Sequence, residues 1–286
     1  MTNKVVELFG HAVSRKNLNW NEVAAAQTCE FTGKKCYKTR KSNPSISIGT
    51  CTVNYVQDKE LGAVVICPTR LVQRRQIFID CLHLLTGHEV GNELHLLKEV
   101  KIPGGNVDFF LVSVRGGRVC DFVGIELQTL DTSGTVWPER QRLLRDLGVS
   151  RADSAENLDT SFGMNWKMTS KTILVQMHHK IQTFEHLNKK LVLVVQDTLV
   201  NYMTRQFDFG HLSNPATLAN SLHMHAYGLA KEVGGDYKLN LHSRLGTDAL
   251  GIARCLGLQA EARVELDEIL RLLQRRVSVA TLFTPI

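Results

Sequence analysis

The sequence predicts an α/β fold: a mixed central sheet flanked by helices, with a small cysteine-bearing module at its N-terminal end. Three observations carry that expectation. The stretch "NVDFFLVSVRGGRVCDFVGIELQ" (106–128) reads as two apolar strands joined at Gly116-Gly117. A helical stripe at Ile173, Met177, Ile181 and Phe184 leads into "LVLVV" (191–195), whose lack of polar alternation marks a strand covered on both faces. Four of the seven cysteines, Cys29, Cys36, Cys51 and Cys67, precede all of these elements.

A chain of 286 residues suffices for one large domain or a core plus a small module. The division expected is a metal-binding region over 1–69 and a core over 70–286. Lys and Arg number 34 against 28 Asp and Glu, and the resulting charge of +6 suits a polyanionic partner without identifying one. No apolar run is long enough to cross a bilayer, and "MTNKVVELFG" has no signal-type apolar region. The expectation is a cytoplasmic protein with no membrane contact. There is no internal repeat.

The spacing C-x6-C-x14-C-x15-C lacks the C-x2-C knuckles of familiar zinc modules. In a reducing compartment, clustered thiols still point to a metal before a disulfide. Four thiolates favour zinc or iron in a tetrahedral, structural site; four unrelated buried thiols are the plainer alternative. Cys81, Cys120 and Cys255 sit among apolar neighbours and are expected in the core. Within the cysteine region, "KKCYKTRKSNPS" packs Lys34, Lys35, Lys38, Arg40 and Lys41 into eight residues. Such a run is usually a solvated face. Held beside a metal, it resembles an arm that grips phosphates.

Along the chain, Thr69 as N-cap and Gly87 as stop predict a helix from Arg70 to Thr86, burying Leu71, Ile77, Cys81, Leu84 and Leu85. "ELHLLKEVKI" (93–102) reads as a strand and "PGG" (103–105) as a turn. After the hairpin come a short helix opened by Pro138, a longer one over 168–188, and the buried strand, so that a βαβ crossover links the Glu126 strand to 191–195. A last helix over 259–276, acidic early and basic late, complements its own dipole.

The hairpin raises a question of register. Glu126 and Gln128 share a strand face with Cys120 and Phe122. A two-residue loop at Gly116-Gly117 sets Asp108 opposite Ile125; a three-residue loop that includes Arg118 sets it opposite Glu126. One residue decides it, because a single slip flips the faces. Opposed carboxylates with Cβ atoms about 5 Å apart repel, so that pairing requires something cationic between them. The bland reading is a solvated hairpin end.

An Asp followed by E-x-Q on the adjacent strand, inside such a core, resembles the PD-(D/E)XK nuclease fold, with Gln128 where Lys is usual. Together, "CEFTGKKCYKTRKSNPSISIGTCTV" (29–53) and "VDFFLV…DFVGIELQTLD" (107–131) are similar to type II restriction endonucleases of the NotI group, including EagI-like enzymes. The resemblance implies an iron-type site with four Cys ligands and a homodimer. It further implies magnesium-dependent cleavage of palindromic, GC-rich double-stranded DNA. Asp108 and Glu126 would ligate magnesium, and Gln128 would hold the third motif position. An upstream glutamate would join them, with Glu93 the best match and Glu89 and Glu99 also available. Two rival functions are a non-catalytic DNA-binding regulator built on the cysteine module, and a repair or structure-selective nuclease of the same fold. The pairs His178-His179 and His223/His225 read as structural, and "RGGR" as a turn, since no helix follows it.

Overall fold

Residues 93–128 form three successive antiparallel strands, Glu93–Ile102, Gly105–Arg115 and Arg118–Gln128. The computed structural model describes residues 4–57, 60–149 and 161–258, with 270–271 and 274–275. After the meander, the helix Trp166–His186 carries the chain across the sheet. The strand Lys190–Gln196 then lies parallel to both Arg118–Gln128 and Leu222–Lys231. With Tyr237–Thr247 at the far edge, a six-stranded mixed sheet results.

The "LVLVV" run is buried on both sides, as its composition predicts. Leu191, Leu193 and Val195 pack towards Met177, Ile181 and Phe184 of the crossover helix. Val192 and Val194 face the opposite way, against Leu71, Ile77 and Cys81. Each such side chain contributes roughly 1.5–3 kcal/mol on burial. Gly124 is fixed by the same packing, because a Cβ there would run into the Phe184 ring.

The helix expected over 70–86 does not form as one piece. A 3-10 segment over Pro68–Arg75 breaks at Arg74 and Arg75, whose φ values are 52° and 57°; a short helix, Gln76–Ile79, follows. The apolar residues are buried as predicted, but the step from Leu71 to Ile77 does not fit one helical face. Arg70 anchors the segment that precedes the break. Fully buried, it donates to Glu7 (2.7 Å), Gln73 (2.9 Å) and the Tyr237 carbonyl (2.9 Å).

Before the core, Val5–Leu8, His11–Ala12, Thr50–Gln57 and Glu60–Val65 build a four-stranded sheet. Gln196 fastens it to the central sheet, accepting from the Val65 N–H (2.8 Å) and donating to the Ala63 carbonyl (2.7 Å). The helix Trp137–Asp146 begins with Pro138 in its first turn, as read from the sequence. Leu143 and Leu144 pack against Val5, Leu8 and Phe9. The helix expected over 259–276 lies largely outside the described residues. Among the described residues, no helix is long and apolar enough to cross a membrane.

Candidate active site

The hairpin register combines both alternatives left open by the sequence. At the tip a two-residue loop pairs Arg115 with Arg118 and Val114 with Val119. The register then shifts by one residue, and Ser113 pairs with Asp121 and Phe109 with Ile125. Cys120 is the extra residue, a β-bulge. It is therefore exposed, contrary to its expected place in the core, whereas Cys81 and Cys255 are buried. Continued by one residue, the shifted register sets Asp108 opposite Glu126.

Asp108, Glu126 and Gln128 thus come together on the sheet face that meets the crossover helix. Asp108 Oδ2 accepts from the Leu127 N–H at 2.8 Å. Glu126 is buried, and the cation its pairing calls for is present: Lys180 Nζ, from the helix Trp166–His186, lies 2.6 Å from Glu126 Oε1. Burial pushes the Glu126 carboxyl up to about 7; Lys180 opposes the rise and neighbouring Asp108 adds to it. The Gln128 amide donates to the Thr129 carbonyl at 2.6 Å. Sequence reasoning missed Lys180, although a signal existed. It stands three residues after Met177 and four before Phe184, inside the apolar stripe, where a lysine rarely sits unpaired.

The upstream glutamates separate clearly. Glu93 pairs in register with Val114, is exposed, and contacts His95 at 3.1 Å. That is six residues, about 20 Å, along the strand from the Asp108 position. Glu89 pairs with Arg115 at the hairpin tip. Glu99 falls between the pairs Lys98–Phe109 and Val100–Val107, opposite Asp108, with φ 52°. The geometry favours Glu99 over Glu93 as the third carboxylate nearest the pair.

In the N-terminal region Cys29, Cys36, Cys51 and Cys67 line one cavity of about 20 Å³, with Phe9 and Tyr37 beside them. That volume is of the order of one water molecule or ion. The Cys67 thiol is lowered to about 6, chiefly by the adjacent Cys51 side chain and further by Lys38. Cys51, buried and donating to the Gly49 carbonyl at 3.3 Å, is pushed well above its usual value by neighbouring Cys67 and by burial. Among the described residues, no three His, Cys, Asp or Glu side chains stand arranged to hold a metal ion. The expected tetrathiolate site therefore exists as a convergence of thiols, without ligand geometry.

The basic run divides in the structure. Lys38 donates to the Ile66 carbonyl (2.8 Å), Lys35 to the Ser45 carbonyl (3.1 Å), and Arg40 stacks on Trp137 at 4.6 Å. Lys34 and Lys41 are exposed. His223 and His225 are buried, and desolvation lowers them to about 4 and about 3, so both are neutral core residues, as read.

A protein-family model described as restriction endonuclease NotI matches residues 13–233, a span that contains the four converging thiols, the carboxylate pair and Lys180. No curated protein matches the chain.

Proposed function

The chain belongs to the NotI restriction endonuclease family and is a type II site-specific deoxyribonuclease, and from that premise we propose that Asp108, Glu126 and Gln128 form the catalytic centre of a PD-(D/E)XK core acting with magnesium. The adjacency of Asp108 and Glu126, restored by the bulge at Cys120, is the observation that carries this reading. Two carboxylates fit magnesium, which commonly binds one or two protein carboxylates and completes its shell with water and phosphate oxygens. When bound, such an ion polarises a phosphate and lowers the pKa of a bound water. The chain's own groups hold and orient. Asp108 is fixed by the Leu127 N–H and Glu126 by Lys180, while the Gln128 amide, one N–H of which goes to the Thr129 carbonyl, has a second N–H with which to aim a water or a phosphate oxygen.

The wider reading is a homodimer in the cytoplasm that cleaves palindromic, GC-rich duplexes. Residues 1–69 act as a metal-binding, DNA-contacting region and 70–286 as the catalytic domain. The four converging thiols support a structural iron or zinc ion, since four thiolates leave no open position for chemistry. Plasmid DNA incubated with the protein and magnesium should yield discrete fragments, and chelation should stop the reaction. A smear, or cleavage confined to branched or damaged DNA, would replace this reading with that of a structure-selective nuclease.

Three further outcomes are expected. Gln128→Ala should cut about 10²-fold more slowly, the lower range for a positioned polar group, as single-turnover rates would show. Lys34→Ala with Lys41→Ala should weaken binding to specific and random duplexes alike. It should also flatten the log–log salt dependence by about 0.9 for each phosphate contact removed; an unchanged slope would exclude the arm from DNA. Finally, Glu126 would hold such an ion in its ionised form, so that binding would expel its proton. Calorimetry near pH 7 in buffers of different ionisation enthalpy should show roughly half a proton released per ion. The apparent affinity should fall as pH drops through that region.

A further inference from the structure

Lys180 lies where a solvated lysine has no reason to be. Its side chain enters between the crossover helix and the start of the Asp108 strand. There Nζ donates to the Asn106 carbonyl at 2.5 Å and to Glu126 Oε1 at 2.6 Å. The turn before the Asp108 strand is shaped to admit it. A Cβ on Gly104 would come 2.8 Å from the His179 carbonyl oxygen, and one on Gly105 would come 3.2 Å from Lys180 Cε. Thr183, one turn further along the helix, donates to the Pro103 carbonyl at 2.9 Å. The "PGG" turn is thus the seat on which this helix rests.

Stability alone does not account for the contact. A buried ion pair returns little net free energy, because desolving both charges offsets their attraction, and an apolar pair of equal volume would pack as well. The strand position that usually carries a lysine in this fold holds the neutral Gln128. We infer that Lys180 is a positioning residue of the catalytic pair: from the crossover helix it supplies the positive charge that Gln128 lacks, and it fixes the carboxylate of Glu126 towards the scissile phosphate. An ammonium has three donors, and two are used here. This inference rests on Asp108 and Glu126 being the catalytic carboxylates.

The test compares Lys180→Met, Lys180→Arg and Asp108→Asn with the parent in full-length protein. Single-turnover plasmid cleavage with magnesium is one readout, and Mn²⁺ binding to the DNA-free protein, followed by electron paramagnetic resonance, is the other. Lys180→Met should cut about 10²-fold more slowly, as for loss of one preorganised donor. It should nonetheless bind Mn²⁺ at least as tightly, because a positive charge beside Glu126 has gone. Lys180→Arg, which keeps the charge, should recover part of the rate. Slower cleavage with retained Mn²⁺ binding is a combination that a purely structural role would not produce. A folded Lys180→Met protein that cuts at the parent rate overturns the inference, as does loss of Mn²⁺ binding together with thermal stability. If Asp108→Asn also cuts at the parent rate, the catalytic assignment itself fails; if Asp108→Asn is inactive, only the role of Lys180 does.

Discussion

Asp108→Asn and Glu126→Gln proteins should fold, retain DNA binding and fail to cut. Each substitution keeps the shape of the side chain and removes one negative charge from a site that must attract a cation. At about 4 Å and an effective dielectric near 20, one unit-charge pair is worth about 4 kcal/mol, which corresponds to roughly 10³ in rate. Loss of an oxygen ligand adds to that. DNA affinity should hold or rise, because the phosphate meets less negative charge. Glu126→Gln separates the effects further: it leaves the Lys180 ammonium buried without its anion, so its thermal stability should fall more than that of Asp108→Asn. Both variants folded and cutting at the parent rate would remove the carboxylate pair from the chemistry.

The second large effect is expected at the converging thiols. Elemental analysis should find close to one iron or zinc per chain, and Cys29→Ser should lose it. The wall of that cavity is continuous with the core: Phe9 lines it while packing beside Leu143 and Leu144. Loss of the ion should therefore loosen the N-terminal sheet rather than a free-standing module. Structural zinc in small peptides is worth about 10–16 kcal/mol, all of it folding energy. Here the packed sheet retains part of the stability, so a fall in Tm of about 10 °C is expected, on the scale of 2–4 °C per kcal/mol for domains of this size. Full metal content in the single serine variants at all four positions would sink the assignment.

What could be read from the sequence divides along physical lines. The hairpin, the crossover helix and the doubly buried strand were legible because local periodicity and packing demand agree there: Ile173, Met177, Ile181 and Phe184 repeat at helical spacing and do line the core. The helix expected over 70–86 does not form in one piece because its decisive interactions are remote. Arg70 is claimed by Glu7 and by the Tyr237 carbonyl, 63 and 167 residues away, and no local pattern encodes that. The N-terminal sheet and the strands Leu222–Lys231 and Tyr237–Thr247 were likewise left unread, since their pairing is set by the neighbours they find. Asp108, Glu126 and Gln128 are legible as a motif, and it is on that motif that the proposed site rests. Lys180 is hard to find because a lone lysine in a helix ordinarily reads as surface, and only the pairing shows that Glu93 lies far along the strand from Asp108 while Glu99 lies opposite it.

The bulge at Cys120 also bears on how the hairpin tolerates changes of length. Removing that one residue would take away the irregularity itself: Val114 would still face Val119, Ser113 would still face Asp121, and the carboxylates below would keep their places. A deletion anywhere between Phe122 and Ile125, in contrast, would turn Glu126 towards the opposite core layer, with no slack to absorb it. Single-residue deletion, usually among the most disruptive events in a sheet, thus has one tolerated address here. Descendants of this chain can lose the bulge residue while Asp108 and Glu126 stay in frame.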